Sequence, residues 1–334
     1  MSSYDFSELA SFININSYTY NKTGVDCVGN HYKALLEQLG YQTTTFKREI
    51  IGDHLYFHTE YQERGQRILL LGHLDTVFPP QSFEDFREDD VWIYGPGVCD
   101  MKGGNHVALE ALRSLHVKHG KIKNIELLFV SDEETGSDDS RYVTAEIAKR
   151  YDYCLVFEAA GINGEIVIGR KGAATYQVQI EGKAAHAGND YFKGANANLE
   201  AAYKTIAYSE LTNLTVGTTV NVGKIEGGIG ANTISPHARL LLEARYTDAS
   251  ERDRILRAIH DITHHSDVSG CTAMLTGGIQ RDVMEPCAKQ LKLIEYFKNI
   301  TGVDISTEKR GGVSDANIAS QQGAITLDGL GYFG

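Results

Sequence analysis

Apolar positions recur along this chain in two rhythms. In the first half, short apolar runs alternate with amphipathic segments. Residues 25–39 set Val28, Leu35, Leu36 and Leu39 at helical spacing and stop at Gly40. Residues 68–71 read as a short strand and 102–116 as a helix carrying Val107, Leu109, Leu112 and Leu115. A strand at 125–130, a helix at 140–149 and a strand at 153–157 follow. Strands apolar on both faces, alternating with helices, predict an α/β fold with a doubly wound, mostly parallel sheet.

The rhythm changes near Lys171. Residues 175–180 alternate like a half-exposed strand, 198–208 are helical, and 218–225 and 238–245 are strands. Residues 251–264 form a helix with Ile255, Leu256, Ile259 and Ile262 inward, and 272–275 a strand. The order β-α-β-β-α-β is that of a ferredoxin-like module. After Pro286 the first rhythm resumes, with a helix at 289–299, a strand near Ile305, a helix at 315–320 and a strand at 324–327. The expected organisation is one domain from 1–169 and 283–334, interrupted by a second at 170–282.

Composition adds constraints. The 334 residues are 42% hydrophobic and 23% charged, enough for two cores. A net charge of -12 argues against nucleic acid or an anionic membrane as partner, and bound cations would offset part of it. Five cysteines (27, 99, 154, 271 and 287) are odd in number and show no CxxC spacing, which fits a reducing, cytoplasmic setting. Cys154 sits in an apolar run, as a buried inert thiol would. The N-terminal stretch has no secretory pattern, and no run approaches about 18 apolar residues.

The chemistry gathers where apolar runs end. The run at 68–71 leads into His73 and Asp75, two apart on extended chain and so facing the same way. Asp100 follows a glycine-rich turn, Glu133 and Glu134 end the run at 125–130, and Glu158 ends CLVF. Each alone fits a structural role: Asp100 suits a helix N-cap, Glu133-Glu134 an acidic loop, His186 a loop histidine. Together, one imidazole and several carboxylates at converging strand ends suit a pair of divalent ions, with zinc favoured and Mn²⁺ or Co²⁺ conceivable. A carboxylate that binds no metal is then available as a general base. On an extended chain the adjacent glutamates point apart and take different tasks.

The motifs GHLDTV, YGPGVCDMKGG, SDEETGS, FEAA, GKAAHAG, GGIGANTISP, EARY and GGVSDAN followed by LDGLG, in this order, resemble the di-zinc metallopeptidase family of bacterial glutamate carboxypeptidase, acetylornithine deacetylase and succinyl-diaminopimelate desuccinylase. The resemblance spans nearly the whole chain and is nearest to glutamate carboxypeptidase. It implies that the inserted module is a lid and dimerisation domain. His73 and Glu158 resemble ligands of one metal, Glu134 a ligand of the other, and Asp100 the bridge, followed by a cis peptide bond. Asp75 resembles the acid that holds His73, and Glu133 the base that takes a proton from a metal-bridging water. His186 resembles a histidine reaching the partner subunit's site. Asn232 and Arg245 resemble residues that hold the substrate carboxylate. Arg281 and Arg310 are further candidates for anionic contacts, each also readable as a surface arginine.

Two departures accompany the resemblance. Val313 stands where a third small residue is common and is expected to narrow the site or to alter a backbone contact. The family's second metal takes a histidine after LDGLG, and no histidine follows Gly331 here. For this exact chain the expectation is a weak or empty second metal site and severely reduced turnover, with a longer natural protein as the alternative. The implied activity is that of a carboxypeptidase releasing a C-terminal, glutamate-like amino acid from a small peptide, in a homodimer. The alternatives are an N-acyl amino acid deacylase or desuccinylase and, in another class, a catalytically silent binding protein.

Overall fold

The computed structural model describes residues 5–59 and 64–334; residues 1–4 of the N-terminal stretch read above lie outside them. The chain divides into two compact units. One comprises Met1–Gly169, Pro286–Arg310 and Ser314–Gly334, the other Arg170–Glu285 and Gly311–Val313.

The first unit opens with α1 (Ser7–Ile13), α2 (Lys22–Gln38), β1 (Gln42–Phe46), β2 (His54–His58) and β3 (Ile68–His73). A short hairpin follows, β4 (Arg87–Glu88) and β5 (Ile93–Tyr94). Next come α3 (Lys102–His119), β6 (Ile125–Val130), α4 (Ser140–Ala148), β7 (Tyr153–Val156) and β8 (Ile166–Arg170). The second unit runs β9 (Gly172–Glu181), α5 (Ala197–Ser209), β10 (Thr219–Gly227), β11 (His237–Tyr246), α6 (Ala249–His264) and β12 (Thr272–Arg281). The chain then returns with α7 (Ala288–Thr301), β13 (Thr307–Arg310), α8 (Asp315–Gln321) and β14 (Ile325–Leu327).

The main sheet has the order β1-β2-β6-β3-β7-β14. β6, β3, β7 and β14 are parallel, whereas β2 runs antiparallel to β6. The sheet is buried on both faces. Leu70, Leu127, Phe129, Leu55 and Phe57 pack with α2 and α3 through Val28, Tyr32, Leu36, Ala108, Leu109 and Leu112. Residues of the other parity, Leu69, Leu71, Leu128 and Val130, are just as buried, and α8 packs against β7 and β3. Truncating one such leucine to alanine costs about 2–5 kcal/mol. Such a sheet tolerates a charge only with partners. Glu126, near the start of β6, is buried but accepts from Arg67 and from the Tyr56 and Tyr151 hydroxyls. The other charged groups of β3, β6 and β7 are displaced to the strand ends.

The second unit is a four-stranded antiparallel sheet, β10-β11-β9-β12, with α5 and α6 on one face. Here burial alternates. Tyr176, Val178 and Ile180 face inward, opposite Leu240, Leu242 and Ala244, and pack on Ala201, Tyr208, Ile255 and Ile259. Asn196 caps α5 and Asp248 caps α6 through their side-chain oxygens. The core holds an ion pair: Lys204 Nζ lies 2.9 Å from Glu200 Oε1, each side chain 1% exposed. Both charges have further partners, because Lys204 donates to Ile262 O and His265 O and Glu200 accepts from the Asp267 and Val268 N–H groups.

Several elements escaped the periodicity. α1 is only seven residues long. β1 is a polar edge strand, QTTTF. β2 has histidines at both ends, although His54 is fully buried. The strand expected near Ile305 begins at Thr307 and pairs with β8, which was not anticipated.

Candidate metal centre

Because β6, β3 and β7 are parallel neighbours, their carboxyl ends lie on one side of the sheet. His73 is the last residue of β3, the Glu133–Thr135 turn follows β6, and Glu158 lies two residues past β7. Asp100 reaches the same place from the loop before α3. Its peptide bond to Met101 is cis. Gly104 lets α3 approach closely, since a Cβ there would collide with the Phe157 carbonyl beside Glu158.

His73 is held on every side. Its N–H meets Met101 Sδ at 3.2 Å, and its carbonyl accepts from Asn105 Nδ2 at 2.7 Å. On the ring, Nδ1 lies 3.0 Å from the Asp75 carbonyl and 3.4 Å from Asp75 Oδ1. With Nδ1 protonated, the lone pair falls on Nε2. That atom lies 2.9 Å from Asp100 Oδ1 and 3.7 Å from Glu158 Oε1. Asp75 is fully buried, and its carboxylate also accepts from the Glu133 and Glu134 N–H groups, each at 3.3 Å, and from the Thr19 hydroxyl at 2.7 Å.

Two donor groups result, each with all ligand atoms within 4.8 Å of one another: His73, Asp100 and Glu134, and His73, Glu133 and Glu158. Asp100 is open to solvent, its side chain 60% exposed, whereas Glu158 is buried. Burial raises the Glu134 carboxyl to about 8, with His73 opposing and the charges of Asp100, Glu133 and Asp75 adding to it. Burial raises Glu158 too, against His73 and with Asp100 and Glu133. Burial pulls His73 down, but its hydrogen bonds to Asp100 and Asp75 and the charge of Glu158 outweigh that, so it is raised. A cluster of carboxylates that cannot all ionise beside one imidazole fits divalent cations well: the donors are oxygen and neutral nitrogen, and the missing counter-charge is positive. A third group, Glu8, His106 and Glu110, differs in already holding Arg113, whose guanidinium pairs with both carboxylates.

The structure thus brings together His73, Asp75, Asp100, Glu133, Glu134 and Glu158. Asp100 is not an N-cap: that position belongs to Met101, with no side-chain cap bond. Glu133 and Glu134 are not on extended chain but share a 3₁₀ turn whose N–H groups face Asp75. His186, Asn232 and Arg245 belong to the other unit. His186 Nδ1 accepts from the Gly188 and Asn189 N–H groups, at 3.1 and 3.2 Å. Asn232 is exposed and its carbonyl accepts from the Ala187 N–H. Arg245 makes a two-point pair with Glu243 at 2.8 and 3.0 Å and donates to Gly311 O. Arg281 is not a surface residue, being 5% exposed, and Arg310 donates to Ala159 O. Sequence reading missed Thr19, Asn105 and Met101, which touch the centre through backbone or second partners and carry no metal-ligand signature. An open, mostly apolar cleft of about 790 Å³ borders Asp100 and Glu134, with Phe78, Phe83, Trp92 and Tyr94 among its walls.

A mostly parallel sheet presenting an imidazole and four carboxylates at its strand ends defines a candidate centre for divalent metal ions. The sequence comparisons specify the class of protein. A model of the family described as Peptidase family M20/M25/M40 matches residues 69–331, and the chain belongs to that family. Carboxypeptidase G2 of Pseudomonas sp. (strain RS-16) is 30% identical over 338 residues, covering 98% of this chain and 81% of that protein. Succinyl-diaminopimelate desuccinylase of a Nitratiruptor species is 23% identical, over 82% of this chain and 78% of that protein. Among solved structures, aminopeptidase PepT from Bacillus cereus ATCC 10987 superposes with a TM-score of 0.76 at 23% identity, covering 96% of this chain and 88% of that one. That likeness shows the fold. The protein is an enzyme of the metallopeptidase and amidohydrolase type. Among the described residues, no helix is long and apolar enough to cross a membrane.

Proposed function

We propose that this protein is a zinc-dependent carboxypeptidase that releases a C-terminal, glutamate-like amino acid. The observation that carries the reading is the convergence of Asp100, Glu134 and Glu158 on His73, with Glu133 presented beside Glu134 by one turn. The similarity to carboxypeptidase G2 over nearly the whole chain supports the carboxypeptidase over the deacylase alternative. His73, Asp100, Glu134 and Glu158 hold the metal. Bound divalent ions supply Lewis-acid polarisation of the carbonyl and a lowered water pKa.

The chain's own residues do the rest. Asp75 keeps the His73 proton on Nδ1 so that Nε2 can ligate. Glu133 takes the proton of the attacking water and hands it to the leaving nitrogen. Arg245 and Asn232 bind the substrate carboxylate, the guanidinium exchanging Glu243 for it. His186 stabilises the developing oxyanion in the partner subunit's site of a homodimer built through the second unit. The five free cysteines suit a cytoplasmic setting.

The test is a panel of dipeptides with C-terminal Glu, Asp or apolar residues, set beside N-acetyl and N-succinyl amino acids, on zinc-loaded protein. Preferred cleavage of the glutamate dipeptides is expected. Preferred cleavage of the acyl amino acids points to a deacylase, and no cleavage of either class sinks the reading. Sedimentation of the same sample tests the homodimer: a fully active monomer contradicts the role given to His186.

A further inference from the structure

The segment before α2 reaches the metal centre although nothing in its sequence announces it. Thr19 is fully buried and donates its hydroxyl to Asp75 Oδ2 at 2.7 Å. That is the shortest contact the Asp75 carboxylate makes. Its other donors, the Glu133 and Glu134 N–H groups, stand at 3.3 Å, and His73 Nδ1 at 3.4 Å. Thr19 is itself rigidly placed. Its N–H donates to Thr76 O, Thr76 N–H donates to Ser17 O, and the two stretches pair as a parallel bridge at Tyr18 and Thr76. Upstream, the buried Lys102 ammonium ties down Ile15 O at 2.7 Å and Phe12 O at 3.0 Å. Lys102 lies two residues beyond Asp100, so the N-terminal segment and the metal loop are fastened to each other at two points.

We propose that Thr19 is a positioning residue of the metal centre, acting through Asp75. A buried carboxylate needs donors on both oxygens. By fixing the Asp75 rotamer, the Thr19 hydroxyl aligns two things at once: the His73 ring, and the turn that carries Glu133 and Glu134. Without it Oδ2 keeps one long bond, the carboxylate is free to rotate, and both donor groups lose alignment. Partners that touch a metal ligand directly, as Asp75 does, typically change metal affinity by about 10–100-fold, and Thr19, one contact further out, falls at the low end. The inference rests on the metal-centre reading given above, but its principal readout needs no turnover.

The experiment measures zinc affinity by competition with a chromogenic chelator for the parent, Thr19→Val, Thr19→Ser, Asp75→Asn and the Thr19→Val/Asp75→Asn double variant. Thr19→Val is expected to weaken zinc binding by about 10-fold or more. Thr19→Ser, which keeps the hydroxyl, is expected to stay within about 3-fold of the parent. In the Asp75→Asn background the Thr19→Val change is expected to add little, because the route through the carboxylate is already cut. In hydrolysis, Thr19→Val lowers kcat with KM little changed, a split that loss of ground-state substrate contacts does not produce. Parent-like zinc binding in Thr19→Val overturns the proposal, as does equal weakening in Thr19→Ser or full additivity in the double variant. If Thr19→Val does not fold, the Thr19→Ser and Asp75→Asn comparison decides: a serine variant as weak as Asp75→Asn overturns it. A parent that binds zinc while Thr19→Val is unaffected removes only this inference, whereas a parent that binds no zinc removes the metal reading with it.

Discussion

Both units bury carboxylates, and they do so in opposite ways. In the second unit Glu200 sits beside Lys204 with backbone N–H groups on its other oxygen, so its charge is answered inside the fold. In the first unit Glu134 and Glu158 crowd one imidazole together with Asp100 and Glu133, and their proton affinity rises. A carboxylate that is there for the fold comes with its counter-charge. One that is there for a ligand waits for it. The sheets explain where each kind is allowed. The first unit's sheet is covered on both faces, so a charge without a partner can appear only past the strand ends. The second unit's sheet covers one face and leaves polar positions along its length.

The contrast breaks most sharply at Glu133. Glu133→Gln is expected to lower hydrolysis by roughly 10²–10⁴-fold, while zinc binding persists and the melting temperature of the metal-free protein does not fall. A variant that hydrolyses like the parent rules out the assigned base. Lys204→Met should do the reverse. Leaving Glu200 buried and unpaired costs about 3–5 kcal/mol of stability in denaturant unfolding, with kcat/KM of the remaining folded fraction unchanged. A neutral result would mean that Glu200 protonates or reaches water.

Metal removal sharpens the same point. Without zinc, the folded chain keeps the Glu134 proton up to about pH 8, whereas an unfolded glutamate loses it near its ordinary value of 4.5. The folded state therefore binds the extra proton between those values, and stability falls as pH rises through that window. The span corresponds to roughly 5 kcal/mol at most, followed by thermal unfolding in chelator from pH 5 to pH 8. Raised His73 acts in the same direction above its unfolded value of 6.5. Zinc is expected to flatten the profile, and a chelated protein with no such slope would contradict the crowding. The smallest effect concerns Arg245. Arg245→Lys loses the two-point fork and should raise KM for carboxylate substrates about 10-fold with kcat nearly kept. An unchanged KM removes Arg245 from substrate binding.

Much of this was legible in the residues. Period-3.6 and period-2 patterns give most of the helices and strands, the change of rhythm near Lys171 and the β-α-β-β-α-β order, because solvent exposure imposes those periods locally. His73, Asp75, Asp100, Glu133, Glu134 and Glu158 could be singled out because apolar strands push chemistry to their ends. Local pattern could not say that Glu133 and Glu134 share a 3₁₀ turn, that Arg281 is buried, or that Arg245 also donates to Gly311 O. It was silent on Thr19, 56 residues from the carboxylate it touches. By itself the sequence determined the types of element, the metal-ligand residue types and the family. Tertiary structure alone decided which atoms meet: the parallel order β6-β3-β7 sets three distant strand ends side by side, and hydrogen bonds from Thr19 and from the Glu133 and Glu134 N–H groups fix the Asp75 carboxylate beside His73. Periodicity records how each residue faces solvent, while such bonds depend on distances between segments that no local pattern encodes.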